Sequence, residues 1–142
     1  MKRSYIKRKP RKRKKKTPKD LLKDEAEKLF KEVVLKRADF TDEYNGMDAN
    51  VAHHFILRSQ CSQLMYDSSN GIALSQGSHL QHHQAQNPRI HDTIIRKRGT
   101  KWADELYRKK DYYRDNLQSS YKNMDWYKTK IAQLKKELTK LL

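Results

Sequence analysis

The sequence predicts a small α+β protein in which a short β-β-α unit is flanked by helices, with a basic arm in front and a long helix behind. Three observations point there. Eleven Lys or Arg lie between Lys2 and Lys16 with no acid among them. The apolar, β-prone stretch VAHHFIL at 51–57 is followed by turn residues and then by a short helical pattern. The last segment repeats apolar residues at alternating spacings of three and four. At 142 residues with polar ends, the chain has room for one small domain.

The elements follow in order. Self-repulsion among its cations keeps the 1–18 arm extended, so it is expected to be disordered. Thr17 and Pro18 resemble a helix start, and from Lys19 to Ala38 the residues Leu22, Ala26, Leu29, Phe30 and Val33 form one helical stripe that needs a partner. Asp42, Asn45, Gly46 and Asp48 mark a loop over 39–50. The first strand is expected at 51–57, with a second extended candidate at 63–67 and a turn at Ser68, Ser69, Asn70 and Gly71 before Ile72, Ala73 and Leu74. A helix from about Ser78 to Ala85 stops at Asn87 and Pro88. Short helices at 90–97 and 100–110 are separated by Gly99, and in the second of them Trp102, Leu106 and Tyr107 suit a core better than a base-stacking platform. Met124, Tyr127, Ile131, Leu134, Leu138 and Leu141 then make a coiled-coil seam, which Leu117 extends back by one step. Two uses of that seam stay open: docking on the 19–38 helix, or a homodimer through the C-terminal helix. The organisation is therefore arm 1–18, central domain 19–110 and C-terminal helix 111–142.

Hydrophobic and charged residues each make up 35%, and the formal net charge is +16. Such a field selects a polyanion, with nucleic acid first and an anionic membrane surface second. No apolar run approaches the roughly 18 residues that span a bilayer, and the basic start lacks an apolar continuation. No membrane partner and no secretory signal are expected, and the expected compartment is intracellular. Cys61 is the single cysteine, so it is read as a small buried apolar residue. The arm residues Lys7, Arg8, Lys9, Arg11, Lys12, Arg13, Lys14, Lys15 and Lys16 are the candidate phosphate contacts. Their contacts add affinity without reading sequence, and about eight of them imply a salt slope near −7. A polybasic tail also fits a nuclear address.

Five of the six histidines fall at 53, 54, 79, 82 and 83. In a helix, positions four apart share a face, so His79 and His83 can present two nitrogens to one metal ion, while His82 points about 60° away. His82 and His91 are read as solvent- or nucleic-acid-facing. In a strand, neighbours point to opposite sides, so His53 and His54 face different surroundings. One of them then completes a three-ligand open metal site and the other addresses a water beside it, as an imidazole near pKa 6.5 is suited to do.

The order His53-His54, then Asn70, then His79 and His83 resembles the HNH, or ββα-metal, nuclease motif, and the histidine pairs are similar to those of colicin-type DNases. HHFILR and LMYDSSN also resemble the NinG-like phage recombination proteins, whose segments read roughly GHFISR and RYD followed by Asn, as does the upstream EAEKLFKEVVLKR. The likeness covers about residues 25–85. It implies a general base at His54, with its second ring nitrogen held by a backbone carbonyl, and a turn tied by Asn70. It implies metal ligands at His53, His79 and His83, and a phosphate clamp at Arg58. The NinG-like pattern has glycine at the position of His53, which leaves Asp48 as a second candidate for the strand ligand. Many family members carry CxxC before the helix, pairing with an upstream CxxC around a structural zinc. Here that place reads Ser75-Gln76-Gly77-Ser78 and the 39–50 loop has no cysteine. Hydroxyls are poor zinc ligands, so the zinc is expected to be lost, with Ser78 capping the helix.

The resemblance thus implies an endonuclease that uses one divalent metal ion, Mg²⁺, Mn²⁺, Zn²⁺ or Ni²⁺, on duplex or branched DNA. Little sequence preference is expected, and the setting would be host cytoplasm if the protein is phage-encoded. The alternative is a catalytically inactive DNA-binding or packaging accessory that keeps the metal fold, and a third reading is an RNA-binding protein driven by the arm.

Overall fold

The computed structural model describes residues 9–84, 87–116 and 121–142, with backbone alone at 81–84. Among the described residues there are five helices and one two-stranded antiparallel sheet. They run α1 (Pro18–Arg37), β1 (Val51–His54), β2 (Gly71–Leu74), α2 (Gln76–Gln84), α3 (Pro88–Arg98), α4 (Thr100–Asp115) and α5 (Met124–Lys140).

Local chemistry sets the helix starts. At α1 the Thr17 hydroxyl accepts from Asp20 N at 3.2 Å and Asp20 accepts from Thr17 N at 3.0 Å, a reciprocal cap with Pro18 in the first turn. Asn87 accepts from Arg89 N and starts α3, again with proline next, and Asn123 accepts from Trp126 N at the start of α5. Gly99, at φ 95°, lets the chain turn between α3 and α4 in a conformation other residues rarely adopt. α4 runs to Asp115, so it crosses the expected boundary at 110 as one continuous rod. No described helix is long and apolar enough to cross a membrane.

The register pairs Val51 with Leu74, Ala52 with Ala73, His53 with Ile72 and His54 with Gly71. Alternation then gives the hairpin two faces. Ala52 and Ala73 pack with Ala26, Phe30, Val33 and Val34 of α1 and with Tyr127, Ile131 and Leu134 of α5. Ile72 and Leu74 pack with Phe55, Ile90, Ile94 and Leu106 on the side of α3 and α4. The seam of α5 is thus filled by the chain's own α1. Leu138 is partly buried, Met124 and Leu141 are exposed, and Leu117 lies outside the described residues. Gly71 is required for this layering, because a Cβ there would strike Val34 Cγ2.

The outer edge of β2 is closed by side chains and local turns. Gly71 N donates to Ser68 O, and Gly71 O accepts from Arg37 Nη2 at 2.8 Å and from Arg98 Nη2 at 2.9 Å. Ala73 N donates to Glu43 Oε2 at 2.7 Å, and Ala73 O accepts from Glu43 N at 2.9 Å.

Two local expectations are corrected. β1 ends at His54 rather than at residue 57, and 63–67 is not a strand, because Ser62–Leu64 forms a 3₁₀ turn. Buried Asn70 explains both: its Oδ1 accepts from Ile56 N at 2.7 Å, while its Nδ2 donates to Ile56 O at 3.0 Å and to Leu64 O at 3.3 Å. One side chain thus holds the backbone on both sides of the 57–63 connection, and Phe55 N, bonded to Asn70 O, makes the last hairpin contact. The central helix also starts earlier than expected. Ser75, not Ser78, is its cap, with Oγ accepting from Ser78 N at 3.2 Å.

Candidate active site

His54 projects toward α1. Its ring stacks on Phe30 at 4.8 Å between centroids and 5° between planes, and Nε2 lies 2.8 Å from Met65 O. A carbonyl only accepts, so Nε2 carries the proton and Nδ1 keeps a lone pair able to take a proton from water. Burial pushes the His54 pKa down from its ordinary value and outweighs the opposing pull of the Met65 carbonyl, so the ring is neutral at neutral pH. Met65 O is available because Ser62–Leu64 turns on itself and Asn70 holds Leu64 O beside it. Asn70 thereby positions His54 through the intervening turn.

His53 projects the other way and is 2% exposed. Its ring lies 5.3 Å from that of His79 on α2 at 65°, and 5.9 Å from that of His91 on α3 at 45°. Two imidazoles bound to one tetrahedral ion at about 2.0–2.1 Å have centroids roughly 5 Å apart, a spacing that the His53 and His79 rings match. His83 follows four residues later on α2, and its side chain lies outside the described residues. Among the described residues no group of three or more His, Cys, Asp or Glu closes around a single point. Asp48, the second candidate for the strand ligand, is exposed in an isolated bridge with Thr41.

His91 departs from the reading as solvent- or nucleic-acid-facing. It is half-buried and packs on Phe55 at 4.6 Å, because it sits beside buried Ile90 and one turn before Ile94 on the inner side of α3. That helical pattern around Asn87-Pro88 was the available signal.

The two faces open into one cleft of about 510 Å³ lined by Val51, Ala52, His53, His54, Leu57, Arg58, Ser59 and His79. A second hollow of about 250 Å³ shares Val51, Ala52, His54 and Arg58 and adds Glu27 and Lys31 from α1. Arg58 Nη2 pairs with Glu27 Oε1 at 3.0 Å, with both side chains roughly half exposed. Its guanidinium is therefore held at the cleft mouth, able to meet an anion. Glu27 and Lys31 carry no local motif, and only the packing of α1 brings them to the cleft. Of the basic arm, Lys9, Arg11, Lys12, Arg13, Lys14, Lys15 and Lys16 are exposed without regular structure, while Lys7 and Arg8 lie outside the described residues.

A polar knot supports α2. Asp42 is 1% exposed; its Oδ1 accepts from Tyr44 N at 2.7 Å and Asn45 N at 3.0 Å, and its Oδ2 accepts from Ser75 N at 2.6 Å. Asn45 Nδ2 donates to Ser78 Oγ at 3.1 Å, and the Ser75 and Ser78 hydroxyls are 3.2 Å apart. Burial pushes the Asp42 carboxyl up, but these hydrogen bonds outweigh it and hold it below the usual range. The pairs Asp42/Asn45 and Ser75/Ser78, each with two residues between, join the 39–50 loop to the start of α2 with neutral hydrogen bonds around one carboxylate. Set against protein-family models, characterised proteins and solved structures, the chain matches none of them.

Proposed function

We propose that this chain is a metal-dependent endonuclease of the HNH type that hydrolyses DNA phosphodiester bonds with little sequence preference. The observation that carries the reading is the split between neighbouring histidines on β1. His54 is neutral, fixed by Met65 O and Phe30, and has Nδ1 left for a proton. His53 turns its ring toward His79 on the opposite face, and both open on the same cleft. In this reading His54 takes the proton from the attacking water. Asn70 holds the turn that orients it, and Arg58, steadied by Glu27, meets the scissile phosphate. His53, His79 and His83 would hold a divalent cation, which when bound supplies charge to a non-bridging phosphate oxygen and to the leaving 3′ oxygen. The basic arm adds affinity for the backbone without reading bases.

The test is nicking of supercoiled plasmid at low salt by wild type and His54→Ala, each with Mg²⁺, Mn²⁺ or chelator. Nicking that vanishes with chelator and with the substitution supports the reading. Tight DNA binding without cleavage in any metal would replace it with the inactive accessory protein.

A further inference from the structure

A hollow of about 330 Å³ lies between the end of α4, the start of α5 and the 62–64 turn. Its walls are Tyr112, Tyr113, Tyr121 and Trp126, joined by the carboxamides of Gln63 and Asn116. We propose that it accepts one unpaired nucleobase of a DNA strand. The proposal rests on the nucleic-acid reading above and adds a substrate feature to it.

The lining dictates the guest. The Tyr121 and Trp126 rings meet edge to face at 5.5 Å and 76°, and Tyr112 meets Tyr113 at 5.6 Å and 72°. Trp126 backs onto the core beside Tyr66 and Tyr127, so the hollow has aromatic walls with one anchored ring. Tyr112 is 62% exposed. A planar π-faced guest stacks on such walls whatever its sequence identity. Asn116 Nδ2 already donates to Tyr112 O and Gln63 Oε1 accepts from Cys61 Sγ, so Asn116 Oδ1 and Gln63 Nε2 are the acceptor and donor that can meet a base edge freed from pairing. Four aromatics also suit a quaternary ammonium. The carboxylates nearby are partly engaged, Asp67 by Lys109 and Asp111 and Asp115 by Arg114, whereas two lysines lie against the pocket's own rings. Lys122 Nζ lies 5.8 Å from the Tyr121 ring and Lys130 Nζ lies 5.8 Å from the Trp126 ring. Two ammonium groups on the walls repel a cation and suit the phosphates on either side of a nucleotide.

The pocket is also wired to the proposed catalytic base. Gln63 belongs to the 62–64 turn, and the Ser62 hydroxyl is hydrogen-bonded to the Tyr121 hydroxyl. The same turn presents Leu64 O to Asn70, and the next carbonyl, Met65 O, holds His54. A strand anchored by an extruded base would therefore bear on the segment that orients His54. Fully paired DNA has no base to offer, so bulged, flapped or branched substrates are selected.

The test measures binding of the full chain, in chelator so that no cutting intervenes. The two probes are a DNA duplex with a single-thymidine bulge and the same duplex with an abasic residue in the bulge. Wild type should prefer the thymidine bulge about tenfold, the order expected for one base on an aromatic surface. Tyr112→Ala should bring the ratio close to one, and Tyr112→Phe, which keeps the ring, should retain it. Because each variant is read as a ratio, a general change in DNA affinity cancels. Equal affinities in wild type, or an undiminished preference in Tyr112→Ala, would overturn the pocket. Plasmid nicking alongside equal affinities defeats the pocket alone. A preference without cleavage in any metal supports the pocket and defeats the nuclease reading, and absence of DNA binding overturns both.

Discussion

On one face of β1 the His54 ring stacks on Phe30 of α1 and bonds to the Met65 carbonyl, which the 62–64 turn and Asn70 hold in place. On the other face the neighbouring His53 meets imidazoles carried by two further helices, α2 and α3. The first arrangement fixes one tautomer and one direction, as proton transfer needs. The second brings imidazoles from separate elements together, the kind of cluster that the proposed cation site would draw on. Strand alternation gives two adjacent residues different immediate neighbours, although both border the same cleft.

Substitutions should break the two faces separately. The largest effect is expected for His54→Ala: loss of the base should lower nicking by at least about a hundredfold, with metal stoichiometry by calorimetry unchanged. Loss of metal together with cleavage would show that the faces are not independent. His79→Ala is the converse. It should abolish metal-induced stabilisation in thermal melts, and an unchanged shift of Tm with added Mn²⁺ or Zn²⁺ would refute the shared cation.

Asp42→Ala should act through the base of α2. It leaves three backbone N–H groups without their acceptor and should cost about 3 kcal/mol in denaturant unfolding, with weaker metal binding. The same carboxylate has a pH signature. Its folded pKa lies below the ordinary 3.8, so its stabilisation is complete above that pH and is lost as pH falls through the folded value. Asp42→Asn should be less stable at neutral pH and should lack this acid limb, which urea titrations between pH 2 and 5 would detect as parallel curves if the assignment is wrong. The smallest effect belongs to Gly71→Ala. The added methyl strikes Val34 on the His54 face and should cost about 1–3 kcal/mol by overpacking, reducing cleavage while metal binding on the His53 face persists.

What could be read from the sequence was what local chemistry encodes. Thr17-Pro18 is a signal within one turn and starts a helix where it stands, whereas Asn87-Pro88, read only as the stop of the preceding helix, also starts the next one. The β-β-α order and the α5 seam followed from periodicity, although only packing against α1 could decide how the seam is used. In the misread segment, 63–67, the Asn70 side chain holds Leu64 O while also reaching back fourteen positions to Ile56. Likewise Asn45 and Ser78 are separated by 33 positions, and His91 joins His53 across two connections. Such pairings leave no periodic trace, so the cleft positions of Glu27 and Lys31 and the Asp42 knot emerge only when the chain is folded.

A sheet of two strands ordinarily offers its outer backbone as a template on which other chains can polymerise. In β2 the four outward groups, at Gly71 and Ala73, are already taken by Ser68, Arg37, Arg98 and Glu43. Three of these partners are long charged side chains or their own backbone, anchored in separate parts of the chain. An intruding strand would have to strip two guanidinium groups and a carboxylate from their bonds before forming its first ladder contact. That edge of the hairpin is thereby shielded from cross-β assembly.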